Sequence, residues 1–357
     1  MTVHRDEAGT SLSRSPLPEL TRVVVESTDA RSTARLRTSC SAGPEPALNS
    51  TRKTTINRFR QFRSHDGRLT LRDGRDLVFT DLGDPQGAPV LFAHGMPGCR
   101  MEGWFFHRQA RHHGFRVITP DRPGIGGSTF QPKRVLLDYP GDVAQLADAL
   151  GIDRFIHMGW SSGGSRTLAC AYAMPERVRL AVSLSGYTNF AEYEGRKVLL
   201  EATRWPGPML ARISPTLLRL VVRIVMRLSR RHPGLYLREA RQLVSVEDRA
   251  LLSSFMHTQL FRADQITCLE SGGRAIAEDL MTELVDWGFR LHEVTVPTLI
   301  YQGREDPFVP VAYARHLADN LPNAEVQLLP EAGHLYPLSE AFQGDLFERL
   351  RGRVKGG

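Results

Sequence analysis

One stretch of the sequence, residues 154–177 (RFIHMGWSSGGSRTLACAYAMPER), constrains the fold more than any other. It opens with an apolar run typical of a buried strand and closes with an apolar-periodic run typical of a helix, which Pro175 ends. Between the two lies G-x-S-x-G, in which Gly159 and Gly163 would let strand and helix cross closely around Ser161. The pattern predicts a nucleophile elbow, a serine at the tip of a strained strand-to-helix turn.

Ser162 is the alternative nucleophile in this turn. The residue two positions before it is Trp160, which is too large for the close crossing, so Ser161 is the preferred assignment. A glycine- and serine-rich loop without chemistry is the competing interpretation, because the bare pattern also arises by chance. The strand before the pattern and the helix after it favour the elbow.

A second loop, HGMPG, directly follows the apolar strand PVLFA. Acyl transfer through a serine needs two donors already in place for the oxyanion of the tetrahedral intermediate. In an elbow architecture one donor is the N–H of the residue after the nucleophile, here Ser162, and the other comes from this loop, here Met96. Gly95 allows the tight turn. His94 is expected to tie the loop down by hydrogen bonds, with a role as catalytic base as the alternative.

Three loops in this order, HGMPG, PDRPGIGGS and GWSSGG, each at the end of a predicted strand, resemble those of the α/β-hydrolase fold superfamily. The resemblance covers about residues 66–350. It implies an α/β fold with a mostly parallel eight-stranded sheet, helices on both faces and a helical cap inserted after the sixth strand. It also implies a triad in the chain order Ser, Asp, His. Epoxide hydrolases and dehalogenases of this fold would carry aspartate at the elbow, so Ser161 argues against both.

The resemblance assigns the other two members of the triad. The family's acid follows the strand VPTLIYQ in the pattern G-x-x-D, which here is Asp306, with Glu305 as the alternative. The family's histidine follows the last strand, residues 324–329, in the pair Gly-His, which here is His334. His334 would take the proton of Ser161 and return it to the leaving group, while Asp306 would hold the imidazole tautomer. In the PDRPG loop, aspartate and arginine are expected to stabilise the loop and to take no part in catalysis.

The same assignment divides the chain into domains. Residues 66–187 and 291–350 form the predicted hydrolase core, and residues 188–290 form the predicted helical cap. Residues 1–60 are rich in Ser, Thr, Arg and Pro, which indicates a disordered basic extension; a targeting segment or an over-extended start is the alternative. Eleven Arg and Lys against six Asp and Glu in residues 1–65 supply most of the net charge of +7, which gives no warrant for a nucleic-acid partner.

Within the predicted cap, residues 217–228 combine an apolar helix pattern with Arg219, Arg223 and Arg227 at i, i+4 spacing. A solvated basic edge on a cap helix is the simpler interpretation. The alternative is a surface that meets anionic lipid or the acidic tail of a substrate. The cap also carries aromatic residues that either line an apolar pocket or pack within the cap, namely Trp205, Phe255, Phe261, Trp287 and Phe289.

Cysteine usage and hydropathy set the remaining expectations. The four cysteines, Cys40, Cys99, Cys170 and Cys268, follow no C-x-x-C pattern, which predicts free thiols in a reducing compartment. No apolar run approaches the roughly 20 residues of a membrane span, and the N-terminus lacks an apolar signal region, so a cytoplasmic location is expected. No ligand spacing indicates a metal site, and no cofactor is expected.

The sequence therefore predicts a serine hydrolase that cleaves an ester-like bond of a small, apolar substrate, of the carboxylesterase or thioesterase type, through an acyl-enzyme. Two alternatives from other classes stay open. The triad could serve a non-hydrolytic enzyme, such as a perhydrolase-type haloperoxidase or a lyase, or a ligand-binding protein could carry it as a vestige. A peptidase is a lesser option, since prolyl aminopeptidase relatives usually show HGGPG where this chain has HGMPG.

Overall fold

The computed structural model of the protein describes residues 65–193, 210–211, 213–252 and 255–355. Within these ranges eight strands form one sheet. The strands are β1 (Asp66–Thr70), β2 (Asp76–Gly83), β3 (Ala88–Ala93), β4 (Phe115–Pro120), β5 (Phe155–Trp160), β6 (Val178–Leu184), β7 (Thr298–Gly303) and β8 (Ala324–Leu329). The extension predicted at residues 1–60 lies outside the described residues.

The strands lie in the order β1-β2-β4-β3-β5-β6-β7-β8 across the sheet. β2 pairs antiparallel with β1 and β4, and the other neighbouring pairs are parallel, so the mostly parallel sheet implied by the resemblance is confirmed. From β3 the chain continues to β4 on one side and then to β5 on the other. The loops after β3 and β5 therefore meet at the carboxyl edge of the sheet, where ligands bind in open α/β sheets.

The helices of the described residues are α1 (Gly103–His113), α2 (Asp138–Ala149), α3 (Gly163–Ala173), α4 (Pro215–Arg231), α5 (Pro233–Leu243), α6 (Val246–Leu251), α7 (Phe255–Glu270), α8 (Gly273–Leu284), α9 (Val311–Asn320) and α10 (Glu340–Lys355). Apolar side chains of α1 and α10 share one buried cluster with the sheet, and those of α2, α3 and α9 share a second. Helices therefore cover both faces of the sheet, as the resemblance implies. Five of the helices, α4 to α8, lie between β6 and β7, within the residues of the predicted cap.

Two of the strands match their sequence predictions at both ends. The sequence patterns at 178–184 and 324–329 each predict a strand, and β6 and β8 have these bounds. The apolar run at 155–158 predicts a strand that ends at Met158, but β5 continues to Trp160 because its last two residues still pair with β6. The strand therefore leads directly into the elbow.

Two helices begin earlier than their sequence patterns predict. The apolar run at 168–174 predicts a helix that begins at Leu168, but α3 begins five residues earlier, at Gly163. Because glycine ordinarily disfavours helix, the sequence pattern does not indicate this earlier start. The amphipathic pattern of residues 142–150 predicts a helix that begins at Asp142, but α2 starts at Asp138. The carboxylate of Asp138 lies in the first turn, where a negative charge stabilises the helix N-terminus.

The PDRPG loop is held by ionic and backbone contacts, which confirms the stabilising role predicted for its charged residues. The buried carboxylate of Asp121 accepts hydrogen bonds from the N–H of Arg100 at 2.8 Å and from its guanidinium at 2.6 Å. Arg122 donates to the carbonyl oxygens of His94 and, at 2.8 Å, of Gly95. The loop after β4 thus supports the loop after β3.

Helix α8 is tied to the core by buried ion pairs that centre on Asp279. Its carboxylate lies 2.8 Å from Arg122, 3.2 Å from Arg134 and 3.3 Å from Arg166, and all four side chains are buried. Burial alone would raise the pKa of Asp279, but the three guanidiniums lower it below its usual value, so the carboxylate is ionised. The inserted helices are therefore linked to the PDRPG loop and to α3.

We expect Asp279→Asn to lower the free energy of unfolding by about 3–5 kcal/mol, because it removes the charge that balances three buried guanidiniums. Urea unfolding followed by circular dichroism measures the change. Glu278→Gln is the matched control, because Glu278 is next to Asp279 in the chain and its carboxylate pairs at 3.2 Å with the partly exposed Arg219. This substitution should lower the free energy of unfolding by less than about 1 kcal/mol. An equal loss in the two variants would contradict the account.

Candidate active site

Ser161 occupies the turn between β5 and α3. Its φ angle is 55°, in the left-handed region that residues other than glycine rarely adopt. Its N–H donates to the carbonyl of Leu184 in β6 at 2.8 Å, and its own carbonyl accepts from the N–H of Gly164 at 2.9 Å. The sharp turn predicted from the sequence is confirmed, and the role of Ser161 as nucleophile stays a prediction.

The glycines on either side of this turn lie where the backbone passes closest to itself. A Cβ added to Gly159 would be 2.1 Å from the carbonyl oxygen of Gly163, and one added to Gly163 would be 2.0 Å from that of Ala93. Such distances exclude any side chain at both positions. The second contact also places the end of β3 against the elbow, so that the HGMPG loop begins beside Ser161.

The HGMPG loop is fixed by two buried carboxylates that the sequence patterns did not reveal. Glu102 accepts a hydrogen bond from the N–H of Gly95 at 2.7 Å, and Asp264 of α7 accepts one from the N–H of Cys99 at 2.8 Å. A Cβ added to Gly95 would lie 3.5 Å from the Cβ of Ser161, so the loop borders the serine. Each carboxylate holds one end of the loop in place.

The two predicted oxyanion donors are the N–H groups of Met96 and Ser162. Among the residues that the structure describes, neither N–H has a protein acceptor. A backbone N–H without a partner in a recessed site is available to a ligand oxygen. Their assignment as an oxyanion hole remains a prediction that this geometry permits.

His94 makes hydrogen bonds through both ring nitrogens. Its Nδ1 lies 2.9 Å from the carbonyl oxygen of Gly95, and its Nε2 accepts from the N–H of Arg122 at 3.2 Å. Burial lowers the pKa of His94 well below its usual value, and the charge of Arg122 lowers it further, so the ring is neutral. This geometry fits the loop-supporting role and leaves no ring nitrogen free to act as a base.

The side chain of Ser162 is engaged in a buried polar cluster. Its Oγ donates to the Glu283 carboxylate at 3.1 Å and accepts from the Arg166 guanidinium at 2.9 Å. Arg166 also pairs with Glu283, and both residues are buried. An oxygen held in this way is poorly placed to attack a substrate, which favours Ser161 over Ser162.

His334 and Asp306 form a hydrogen-bonded pair, with Nδ1 of the histidine 2.7 Å from Oδ2 of the aspartate. The other carboxylate oxygen of Asp306 accepts from the N–H groups of Phe308 and Val309, each at 2.9 Å. Glu305, the alternative acid, is exposed. The structure thus brings together the two residues that the resemblance assigned as acid and base.

Burial and charge oppose each other in this pair. Burial alone would raise the pKa of Asp306, but the charge and hydrogen bond of His334 and the two backbone donors lower it overall. Burial alone would lower the pKa of His334, but the charge and hydrogen bond of Asp306 and the charge of Asp248 raise it overall. The pair therefore holds an ionised carboxylate that favours a protonated imidazole.

The histidine loop lies against the elbow. The indole N–H of Trp160, the residue before Ser161, donates to the carbonyl of His334 at 3.1 Å. The two rings have their centroids 5.8 Å apart. The three residues predicted as a triad therefore converge at the carboxyl edge of the sheet.

Asp248 of α6 also belongs to this site, although no sequence pattern indicated it. Its buried carboxylate accepts hydrogen bonds from the N–H of His334 at 2.7 Å and from that of Leu335 at 2.9 Å. The aspartate and the histidine are 86 residues apart, and no motif links them. The inserted helices thus fix the backbone of the histidine loop.

Expectations from the sequence also concern metal-binding groups, membrane spans, cysteines and the aromatic residues of the predicted cap. Within the described residues, no three His, Cys, Asp or Glu side chains are grouped to hold a metal ion. No helix in those ranges is both long and apolar enough to cross a membrane. Cys99, Cys170 and Cys268 are buried free thiols, and Cys40 lies outside the described residues. Trp287 and Phe289 pack in the core cluster that contains α2 and α3, and Trp205 and the Phe255 side chain are not described.

Comparison with known proteins identifies the family. A family model described as the alpha/beta hydrolase fold matches residues 88–341, which is more than half of the chain. The protein therefore belongs to the α/β hydrolase fold family, as the loops and the sheet indicate.

Two relatives and one solved structure show what the chain is similar to. A 2-hydroxy-6-oxononadienedioate/2-hydroxy-6-oxononatrienedioate hydrolase of Burkholderia vietnamiensis is 29% identical over 298 residues, which cover 79% of this chain and 93% of the relative. A non-heme chloroperoxidase of Streptomyces lividans is 37% identical over 126 residues, which cover 33% and 44% of the two chains. A thermophilic esterase of Thermogutta terrifontis has a TM-score of 0.59 at 24% identity, over 81% of this chain and 98% of the esterase.

We expect Asp306→Asn to lower the pKa of His334, because the burial of the ring would then act without the opposing carboxylate. NMR titration of the imidazole, with nitrogen-15 in the histidines, measures the shift. Glu305→Gln is the control, since it neutralises the adjacent exposed carboxylate and should leave the pKa of His334 in place. If Glu305→Gln lowered the pKa of His334 and Asp306→Asn did not, the wrong acid would have been assigned.

Proposed function

We propose that this protein is a serine hydrolase that cleaves an ester-like bond of a small, apolar substrate through an acyl-enzyme on Ser161. The observation that carries the proposal is the His334–Asp306 pair, whose histidine contacts Trp160, the residue before the serine of a strained elbow. An activated serine needs such a base and a third group that orients the base. The N–H groups of Met96 and Ser162 have no acceptor among the described residues, and they would stabilise the negative charge of the oxyanion.

In the first half of the proposed reaction, Oγ of Ser161 attacks the carbonyl carbon of the substrate. Nε2 of His334 takes the serine proton as the C–O bond forms, and the carbonyl electron pair moves onto the oxygen. That oxyanion accepts hydrogen bonds from Met96 and Ser162. The tetrahedral intermediate then collapses, and the imidazolium gives its proton to the leaving group, which departs as a neutral alcohol or thiol.

In the second half, water takes the place of the leaving group. Nε2 of His334 removes a proton from the water as the water oxygen attacks the acyl carbon, and the same two N–H groups receive the oxyanion. Collapse releases the carboxylic acid and returns the proton to Ser161. Asp306 stays ionised throughout, and it stabilises the imidazolium and holds the ring so that Nε2 faces the serine.

Residues 188–290 are proposed to act as a cap over this site. Two contacts support that role: the ion pairs of Asp279 with the core, and the hydrogen bonds from the histidine loop to Asp248. An insertion fixed to the loops that carry the predicted base and oxyanion donors can limit which substrates reach them. The protein is further proposed to be cytoplasmic and to act on a small molecule.

A perhydrolase-type reaction is the second candidate, and the similarity to a chloroperoxidase over 126 residues favours it over a lyase reaction. The hydrolases among the relatives cover more of the chain, which puts hydrolysis first. Product analysis with an ester substrate, with and without peroxide and halide, distinguishes hydrolysis from the perhydrolase-type reaction. Halogenated product that forms only with both additives would support the second candidate.

We expect a fluorophosphonate probe to label the wild type and to leave Ser161→Ala unlabelled, because the probe reacts with an activated serine. Ser162→Ala keeps its backbone N–H and should still be labelled. His334→Ala should react at least about 100-fold more slowly, since it lacks the general base. Labelling is measured by in-gel fluorescence, and the fold of each variant is checked by circular dichroism.

Two outcomes of this experiment would contradict the proposal. Labelling that survived in Ser161→Ala would mean that another residue is the nucleophile. A folded wild type without any labelling would favour a ligand-binding protein with a vestigial triad.

A further inference from the structure

The outward side of helix α4 is apolar and exposed. Six of its aliphatic side chains are between 40% and 52% exposed, namely Leu217, Leu220, Val221, Ile224, Val225 and Leu228. Leu218 and Val222 are buried and pack the helix against the rest of the insertion. Monomeric proteins rarely expose a contiguous apolar patch without a use for it. We call these six side chains the α4 apolar face.

The same helix carries five arginines and no acidic residue. Successive residues of a helix are about 100° apart, so Arg219, Arg223 and Arg227 form a stripe between the buried side and the α4 apolar face. Arg219 pairs with Glu278. The other four arginines have no acidic partner within the described residues. Unlike an ordinary solvated edge, this stripe adjoins an exposed apolar surface.

We propose that α4 is an interfacial helix that binds the surface of an anionic lipid bilayer. Aliphatic side chains of the α4 apolar face would enter the boundary between headgroups and acyl chains, and the arginines would contact the lipid phosphates. Such helices combine an apolar face with Lys or Arg on the polar face, and α4 has both features. The proposal does not depend on the hydrolase assignment, because it rests on a surface separate from the site.

Charge argues for a lipid surface over other occupants of this face. A symmetric contact through this face would bring two arginine-rich helices against each other, with no acidic residue on either helix to balance their charge. The chain's own segments at 1–64 and 194–209 each contain more basic than acidic residues, so neither supplies the complement. An anionic bilayer offers apolar depth and negative charge at one surface.

The test is flotation of the full-length protein with lipid vesicles. One set contains phosphatidylcholine alone, and the other contains equal parts of phosphatidylcholine and phosphatidylglycerol. We expect the wild type to float with the anionic set only and to be released by high salt, because screening weakens the attraction of arginines to phosphates. No binding to the anionic vesicles, or equal binding to both sets, would overturn the proposal.

Two variants of α4 connect the binding to this helix. Ile224→Gln with Leu228→Gln removes apolar area without changing the charge, and Arg227→Gln with Arg231→Gln removes charge without changing the apolar area. We expect each to lower the bound fraction at least several-fold. If the first pair does not fold, Leu217→Gln with Leu220→Gln takes its place. If neither the apolar pair nor the arginine pair of substitutions lowered binding, the contact would lie elsewhere, for example on residues 1–60. That result would overturn the proposal.

Matched controls lie on other surfaces of the chain. Val135→Gln changes an exposed aliphatic residue, and Arg179→Gln with Arg315→Gln changes two exposed arginines, so both should float like the wild type. Light scattering of the wild type and the Ile224→Gln, Leu228→Gln variant tests for a second copy. A dimer that this variant dissociates, without vesicle binding by the wild type, would identify a second copy as the occupant and overturn the proposal.

Discussion

The close crossing of β5 and α3 is the constraint on which the rest of the site depends. Ser161 holds a left-handed backbone there, and no side chain fits at Gly159 or Gly163. Because Gly163 also packs on the carbonyl of Ala93, the same crossing brings the loop after β3 to the serine. A single close approach of backbones therefore places the predicted nucleophile and both predicted oxyanion donors within one small region. Surrounding structure must compensate for the strain at Ser161.

Buried acidic side chains extend this arrangement into the inserted helices. Asp279 of α8 balances arginines of the PDRPG loop and of α3, and Asp248 of α6 accepts hydrogen bonds from the histidine loop. Glu102 and Asp264 hold the ends of the HGMPG loop. A buried polar group that is left without a partner is costly, so each contact fixes the position of the element that carries it. The insertion is thus a structural part of the candidate site, because its carboxyl groups hold the loops that carry the predicted catalytic residues.

Local signals explain why much of the fold and of the candidate site could be predicted. The strand at 178–184 is a short apolar run, and the elbow has a fixed spacing of small residues around Ser161. The buried partners could not be predicted, because Asp248 and Asp279 meet residues 86 and 157 positions away and carry no motif. The start of α3 at Gly163 was missed for a related reason, since tertiary packing there overrides the poor helix propensity of glycine.

The central claim is that Ser161 carries the acyl group during turnover. An activated aryl ester of a short fatty acid, mixed with the enzyme and quenched in acid, would trap that intermediate for peptide mass spectrometry. Trypsin would release the elbow as residues 155–166, whose fragment ions separate Ser161 from Ser162. The account predicts that the acyl group is on Ser161. An acyl group on Ser162, or steady turnover with no acylated peptide, would contradict it.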